Sequence, residues 1–414
     1  MGLSCPTALR VFLTLSMGVA SGFIDMMVYI ACWFTSHSMP MRIEINANML
    51  LWAIERAGFD REDFLVKKPL VAQWLSGERL PTAKQLEVFS NWVHVPYGML
   101  FLPEPPYEEM PITFFRSGEQ ATTGLFDLNV YDTVLMLEKR QAWLRDYLEH
   151  NGNSPLPFVG AMETGNSVPA IVDHIRATFA LEEHWASACP TWEAALARLV
   201  EVIEDAGIIV VFNGVVGSNT HRPVPVNKCR GFVLVDAFAP FIFVNNRDYK
   251  AAQIFTLAHE IAHIWLGKSA GFDLENMLPA DEATEQLCNA VAAEFLVPQK
   301  AFDAVWAETK DIQALAKRFK VSEIVIARRA LDTGKWSRSL FFEFYNNYLA
   351  RLAGLKRPQS GGGDFYLTTK KRVGLAFAAH VKQAVKTGQL LYRDAYKLTG
   401  LKGDTFANFI TQQL

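Results

Sequence analysis

Cysteine is scarce in this chain of 414 residues, with five at positions 5, 32, 189, 229 and 288. The number is odd and no C-x-x-C pair occurs, which excludes a zinc ribbon and a disulfide framework and fits a reducing cytoplasm. An excess of one charge is also missing: 40 Lys and Arg stand against 43 Asp and Glu, a net charge of −3. Nothing in that balance announces nucleic acid or an acidic partner. Long apolar runs are absent except in the first forty residues, where Val11 to Ile24 and Met26 to Phe34 are interrupted only by Asp25. Two readings of residues 1–40 stay open: translation from an upstream start codon, which leaves a cytoplasmic protein, or a genuine membrane segment. The length suits two or three domains.

Histidine is rare as well, nine in all, yet two of them stand in the run Leu257-Ala258-His259-Glu260-Ile261-Ala262-His263-Ile264-Trp265. Residues four apart on a helix lie one turn above each other, so both imidazoles can reach one ion. Glu260 then projects beside that ion. This H-e-x-x-H spacing supplies two nitrogen ligands for Zn2+ and a carboxylate to take a proton from water, the arrangement of zinc peptidases. The competing reading is a helix with two satisfied core histidines. The flanking Phe255, Leu257, Ile261, Ile264, Trp265 and Leu266 make the helix apolar nearly all round and therefore buried. Buried imidazoles and a carboxylate need partners, and a metal supplies them. Gly267 offers the helix stop.

A tetrahedral zinc needs a third protein ligand. Glu285 is the first candidate, on a second apolar helix from Glu285 toward Pro298 whose Ala290, Ala292 and Ala293 permit close approach. Glu282, Glu294 and Asp281 are its rivals. Glu282 also suits a first-turn carboxylate, and Glu294, nine residues on, falls about 180° round the helix from Glu285. Cys288 reads as packing.

The stretches Gly231 to Asp236, Ala239 to Asn245 and Phe255 to Gly267 resemble the ImmA/IrrE family of bacterial zinc metallopeptidases. The helix Glu285-x-x-Cys288-Asn289-x-x-Ala292-Ala293-Glu294-Phe295-Leu296-Val297-Pro298 resembles that family's second signature, whose first glutamate is the third zinc ligand. The family more often has phenylalanine at the place of Val291 and alanine at the place of Cys288. Neither departure touches a ligand. The resemblance implies a zincin-like α+β domain, a small sheet packed on helices, with His259, His263 and Glu285 as ligands and Glu260 as base.

Short helices are expected from Asn46 to Pro106, with Thr82 as a cap and a turn at Ser76-Gly77. The string Val71 to Thr82, followed by His94-Val95-Pro96 and Leu100 to Pro103, resembles Xre-type helix-turn-helix domains. Gln73, Ser76 and Arg79 are its candidate DNA or partner contacts. Met41 to Pro106 carries seven Lys and Arg against eight Asp and Glu, a poor footprint for phosphate, so DNA and a protein partner stay open. Ile112-Thr113-Phe114-Phe115-Arg116 resembles a signature that often follows such a module. Helices at Leu128 to His150, Pro169 to Phe179 and Trp192 to Ala206 read as scaffold, with His174 and His184 structural.

Strands are expected at Ile208 to Phe212, Gly231 to Val235 and Phe241 to Val244, a sheet whose edge can take an extended substrate by strand addition. His221, in the polar loop between them, reads as solvated, with an oxyanion role as the sharper alternative. Ile312 to Phe319 and Glu323 to Asp332 form a second helix-turn-helix-like unit made basic by Lys317, Arg318, Lys320, Arg328, Arg329 and Lys335; Arg328 and Arg329 are further candidate contacts. Ser360 to Asp364 is a linker, and Lys370 to Leu414 carries eight Lys and Arg against two Asp.

The expected organisation is an extension at 1–40, a helix-turn-helix module at 41–106, scaffold at 107–200, a zinc metallopeptidase domain at 201–310, a helix-turn-helix-like region at 311–357 and a basic helical region at 365–414. The expected function is a zinc metalloendopeptidase acting on a repressor or antitoxin-like protein in stress response or mobile-element control. The alternative is a DNA-binding transcription regulator whose zinc is structural or sensory.

Overall fold

The computed structural model describes residues 41–108, 113–114, 127–272, 283–354 and 364–412. The apolar extension at 1–40, Ile112, Phe115 and Arg116 of the short signature, the linker Ser360 to Gly363, and the ligand rivals Asp281 and Glu282 lie outside the described residues. Seventeen α-helices and two small sheets occur among the described residues, a mainly helical α+β architecture. None of the described helices is long and apolar enough to cross a membrane. The chain divides into two compact units, 1–107 and 108–414.

In the first unit, α1 (Ala47–Arg56), α2 (Arg61–Lys67), α3 (Pro69–Leu75) and α4 (Ala83–Val93) are followed by a 3-10 turn at Tyr97–Phe101. Each boundary has a local cause. Asn46 and Asp60 accept the Asn48 and Asp63 amides, and Thr82 with Gln85 closes a reciprocal capping box. Leu50, Ile54, Val71, Leu86 and Val93 pack round Phe89, against which Phe64 and Trp74 stand edge-on.

The second unit opens with β1 (Thr113–Phe114), α5 (Leu128–His150), α6 (Val168–Phe179) and α7 (Trp192–Asp205). The strands β2 (Ile209–Asn213), β3 (Val215–Val216), β4 (Asn219–Pro223), β5 (Gly231–Leu234) and β6 (Phe241–Asn245) precede α8 (Lys250–Leu266) and β7 (Ala270–Phe272). Then come α9 (Ala283–Leu296), α10 (Gln299–Glu308), α11 (Ile312–Phe319), α12 (Glu323–Asp332), α13 (Arg338–Gly354), α14 (Phe365–Val373), α15 (Leu375–Lys386), α16 (Tyr392–Thr399) and α17 (Gly403–Gln412).

The main sheet has the order β1-β7-β5-β6-β2, with β5 antiparallel to both neighbours and β2 parallel to β6. Strand β1 pairs with Ala270 and Gly271, so that stretch of the β7 edge is occupied by the chain itself. β3 and β4 form a separate hairpin.

Because side chains alternate along a strand, the sheet carries two apolar faces. Val210, Phe212, Val233, Ile242 and Val244 join the core built on α6, α7, α8, α9 and α10. Ile209, Val211, Phe232, Leu234, Phe241 and Phe243 join α5 and the helices after residue 373. The basic C-terminal region therefore covers one face of the sheet together with α5, and it falls in the same compact unit as residues 201–310. Strands β2, β5 and β6 are unbroken apolar runs, as strands buried on both faces are, but such a run does not name its cover.

Two contacts fasten that second cover. Gly374 lies over the β2 edge with φ +87°, and a Cβ there would stand 3.1 Å from the Val210 carbonyl oxygen. Arg140 of α5, fully buried, donates from Nε to the Leu398 carbonyl at 2.8 Å and from Nη1 to the Arg372 carbonyl at 3.1 Å. Burial lowers its pKa to about 10.

Candidate metal centre

Helix α8 ends where Gly267 turns left-handed at φ 67°, its amide and that of Lys268 closing onto Ile264 and His263. From Gln253 to Leu266 every residue is buried, so His259, Glu260 and His263 stand inside the core rather than on a rim. Helix α9 packs along α8, and Lys268 Nζ donates to Thr284 Oγ1 at 3.0 Å, tying the end of one to the start of the other. This brings Glu285, 4% exposed, onto the two histidines.

The donor atoms converge. His259 Nε2 and His263 Nε2 are 3.1 Å apart, His259 Nε2 lies 3.2 Å from Glu285 Oε2, and His263 Nε2 lies 3.0 Å from Glu285 Oε1. Among the described residues this is the one group of three or more such side chains placed to hold a metal ion. A tetrahedral zinc with bonds near 2.0–2.1 Å sets its donors about 3.3 Å apart, so this triangle has the size the ion requires.

The electrostatics ask for a cation. Burial drives His259 down to about 4, against the pull of Glu285, so its imidazole is neutral and free to ligate. Burial pushes Glu285 up, but the hydrogen bonds and charges of the two histidines outweigh it and hold the carboxyl at about 2. Burial, and then the charge of Glu285, raise Glu260 well above the carboxylate range. Both Glu260 oxygens and His263 Nδ1 are buried without a hydrogen-bond partner among the described residues. A buried carboxylate against a neutral imidazole, with a second carboxyl unsatisfied beside it, is costly in protein alone. A divalent cation removes the deficit, so the residues present fit one.

Residues 204–331 match the family model of the IrrE N-terminal-like domain, Peptidase_M78. That match supports the ImmA/IrrE family and, in general terms, a metallopeptidase of that type. Residues 373–412 match a second model, a domain of unknown function. No curated protein matches the chain.

Two residues of the IrrE-like region contribute in ways the sequence reading did not assign. Asn289, one turn after Glu285, places Oδ1 3.1 Å from His259 Nδ1. That bond selects the tautomer with the Nε2 lone pair turned to the site, as partners of metal-bound histidines do. Gly231 is the second. A Cβ on it would lie 2.4 Å from Thr256 Cγ2, 2.8 Å from the Phe243 carbonyl oxygen and 3.4 Å from Glu260 Oε1, so β5 passes over α8 where only glycine fits. The i+4 spacing from Glu285 is the signal that could have found Asn289.

The other candidates fall elsewhere. Glu294 takes the Gln299 amide on Oε1 at 3.1 Å and Arg329 on Oε2, and its carboxylate belongs to that pairing instead of the metal group. The expectation that Arg329 offers a DNA or partner contact is corrected: it is buried, and its guanidinium is spent on Glu294. Arg328 pairs with Asp332 at 2.9 Å along its own helix. Ser76 and Arg79 are exposed and Gln73 is half-buried, with Ser76 Oγ and the Arg79 amide both bonded to the Gln73 carbonyl. His221 is exposed on β4. His174 Nδ1 accepts from Trp265 Nε1 at 2.8 Å, a core bond.

Proposed function

We propose that this chain is a zinc-dependent metalloendopeptidase of the ImmA/IrrE type, with His259, His263 and Glu285 as ligands and Glu260 as general base. The reading is carried by one observation: the buried, partnerless carboxyl of Glu260 beside a three-donor group of zinc's dimensions. When bound, zinc supplies Lewis-acid polarisation of water and of the scissile carbonyl. Glu260 takes a proton from the attacking water on a carboxylate oxygen and delivers it to the leaving amine nitrogen. Asn289 keeps the His259 ring in its ligating tautomer.

The substrate is a specific protein, a repressor or antitoxin-like regulator, cleaved in the cytoplasm in stress response or mobile-element control. A bulk-digesting peptidase has no use for the helical modules that flank this site, and those modules give it a means of selection.

Glu260→Gln is the deciding variant. Zinc content measured on the purified protein stays at the wild-type level, while cleavage of a co-expressed neighbouring repressor, followed by mass spectrometry of its fragments, falls by at least about a hundredfold. Unchanged repressor loss in the variant overturns the peptidase reading and favours a regulator with structural or sensory zinc.

A further inference from the structure

Helices α16 and α17 are joined by three residues, Gly400, Leu401 and Lys402. Gly400 ends α16 in the left-handed region at φ 74°, its amide bonded to the Tyr396 carbonyl at 2.9 Å. Leu401 then drops into the core with Ala395, Phe406 and Phe409, against Phe377, Ala378 and Val381 of α15. Three short helices with a glycine-containing turn before the last are the build of a helix-turn-helix unit.

The outward side of α17 follows from its inward one. With Phe406 and Phe409 buried, the exposed positions of the helix are Gly403, Asp404, Ala407, Asn408, Thr411 and Gln412, with exposed Lys402 just before it. Asn and Gln bond adenine in pairs in the major groove, and Thr bonds several base edges. Asp404 is the only acid of the helix and sits in its first turn.

The charge ledger separates this unit from the other basic pair. In α11 and α12, Arg318 meets Glu308, Arg328 meets Asp332, Arg329 meets Glu294 and Lys335 meets Asp303, while Lys320 turns its ammonium onto the Lys317 carbonyl. Each of those cations has its own partner on the protein, Arg318 and Glu308 meeting at the surface and Arg329 and Glu294 in the interior. In the C-terminal unit Asp394 alone serves both Arg393, 76% exposed, and Lys397, 70% exposed. Lys382, Lys386 and Lys402 have no acidic partner among the described residues.

We infer that residues 373–412 bind double-stranded DNA, with α17 entering the major groove and Arg393, Lys397 and Lys402 meeting phosphates. This assignment is independent of zinc and of peptide cleavage.

The test uses the full chain and a fluorescent random-sequence duplex, followed by anisotropy at rising salt. Wild type binds, and log K falls against log salt with a slope of about −3. Reversing Arg393, Lys397 and Lys402 to Glu weakens binding at least about tenfold at the lowest salt, with the thermal melt unchanged because all three are exposed. Should the triple variant melt early, Lys402→Gln alone still reads the inference by cutting the slope by about one. Absence of duplex binding, wild-type affinity in these variants, or tighter binding of single-stranded RNA than of the duplex each overturns it.

Discussion

Helix α9 carries two carboxylates, buried Glu285 near its start and half-buried Glu294 near its end, and they have opposite fates. Glu294 meets Arg329 and the Gln299 amide, while Arg176 Nη2 from α6 closes on the adjacent Phe295 carbonyl at 3.0 Å. Protein groups satisfy that carboxylate. Glu285 faces two imidazoles and the unsatisfied Glu260. Both residues are acidic, on one helix and paired with buried partners, so a paired acid does not by itself mark a site. What marks it is carboxylate valence left open among the described residues beside a convergent donor group, because an unmet buried acceptor costs free energy that a cation can recover. The open atoms at the other end, Arg176 Nε and Arg329 Nε, are donors beside a satisfied carboxylate.

Three changes sharpen that contrast. Arg329→Met strands the Glu294 carboxylate and lowers unfolding stability by about 3 kcal/mol. Urea denaturation measures it, and zinc content stays at the wild-type level; a loss of zinc would join the two ends of α9 into one functional unit and end the contrast. Asn289→Ala acts the other way round. Zinc affinity, measured by chelator competition, falls by about 10 to 100-fold while apo-protein stability barely moves. An unchanged affinity would strip Asn289 of its positioning role.

Glu204 gives the smallest effect and lies between the two cases. It is half-buried, with backbone amides at Ala376 and Val210 holding its pKa down, and burial, helped by the charge of Asp205, lifts that pKa from 4.5 to about 7. A carboxyl raised in the folded state contributes most while neutral, so that stability is full below pH 4.5 and is lost as pH rises to about 7. After discounting for its partial exposure, the loss is roughly 1 to 2 kcal/mol. Glu204→Gln removes this slope from the urea stability measured at the two pH values; a variant with the wild-type slope would move the titration to another group.

The site was legible because its chemistry is local. His259, Glu260 and His263 lie within one and a half turns, and the stop at Gly267 needs only a residue that tolerates positive φ. Glu285 was legible only as a candidate among acids, since its partners are 22 and 26 residues away. Arg329 misled because a run of cations looks the same whether solvated or paired. Strands β2, β5 and β6 of the main sheet were placed to within a residue or two, the two- and three-residue β1 and β7 being too short to show a pattern. The partner of the sheet's second face was not placed, because an apolar run announces burial without naming what covers it.

By itself, then, the sequence determined where β2, β5, β6 and most of the helices run and that two imidazoles and a carboxylate share a helix side, since both depend on spacing along a few turns. Only the tertiary structure decided that Glu285 rather than Glu294 closes the metal group, that Asn289 orients His259, that Gly231 lets β5 pass beside Glu260, and that the C-terminal helices roof the sheet with Lys382, Lys386 and Lys402 left without an acidic partner among the described residues. Those outcomes depend on which side chains meet across long stretches of chain, and that is set by packing and by the pairing of buried polar groups.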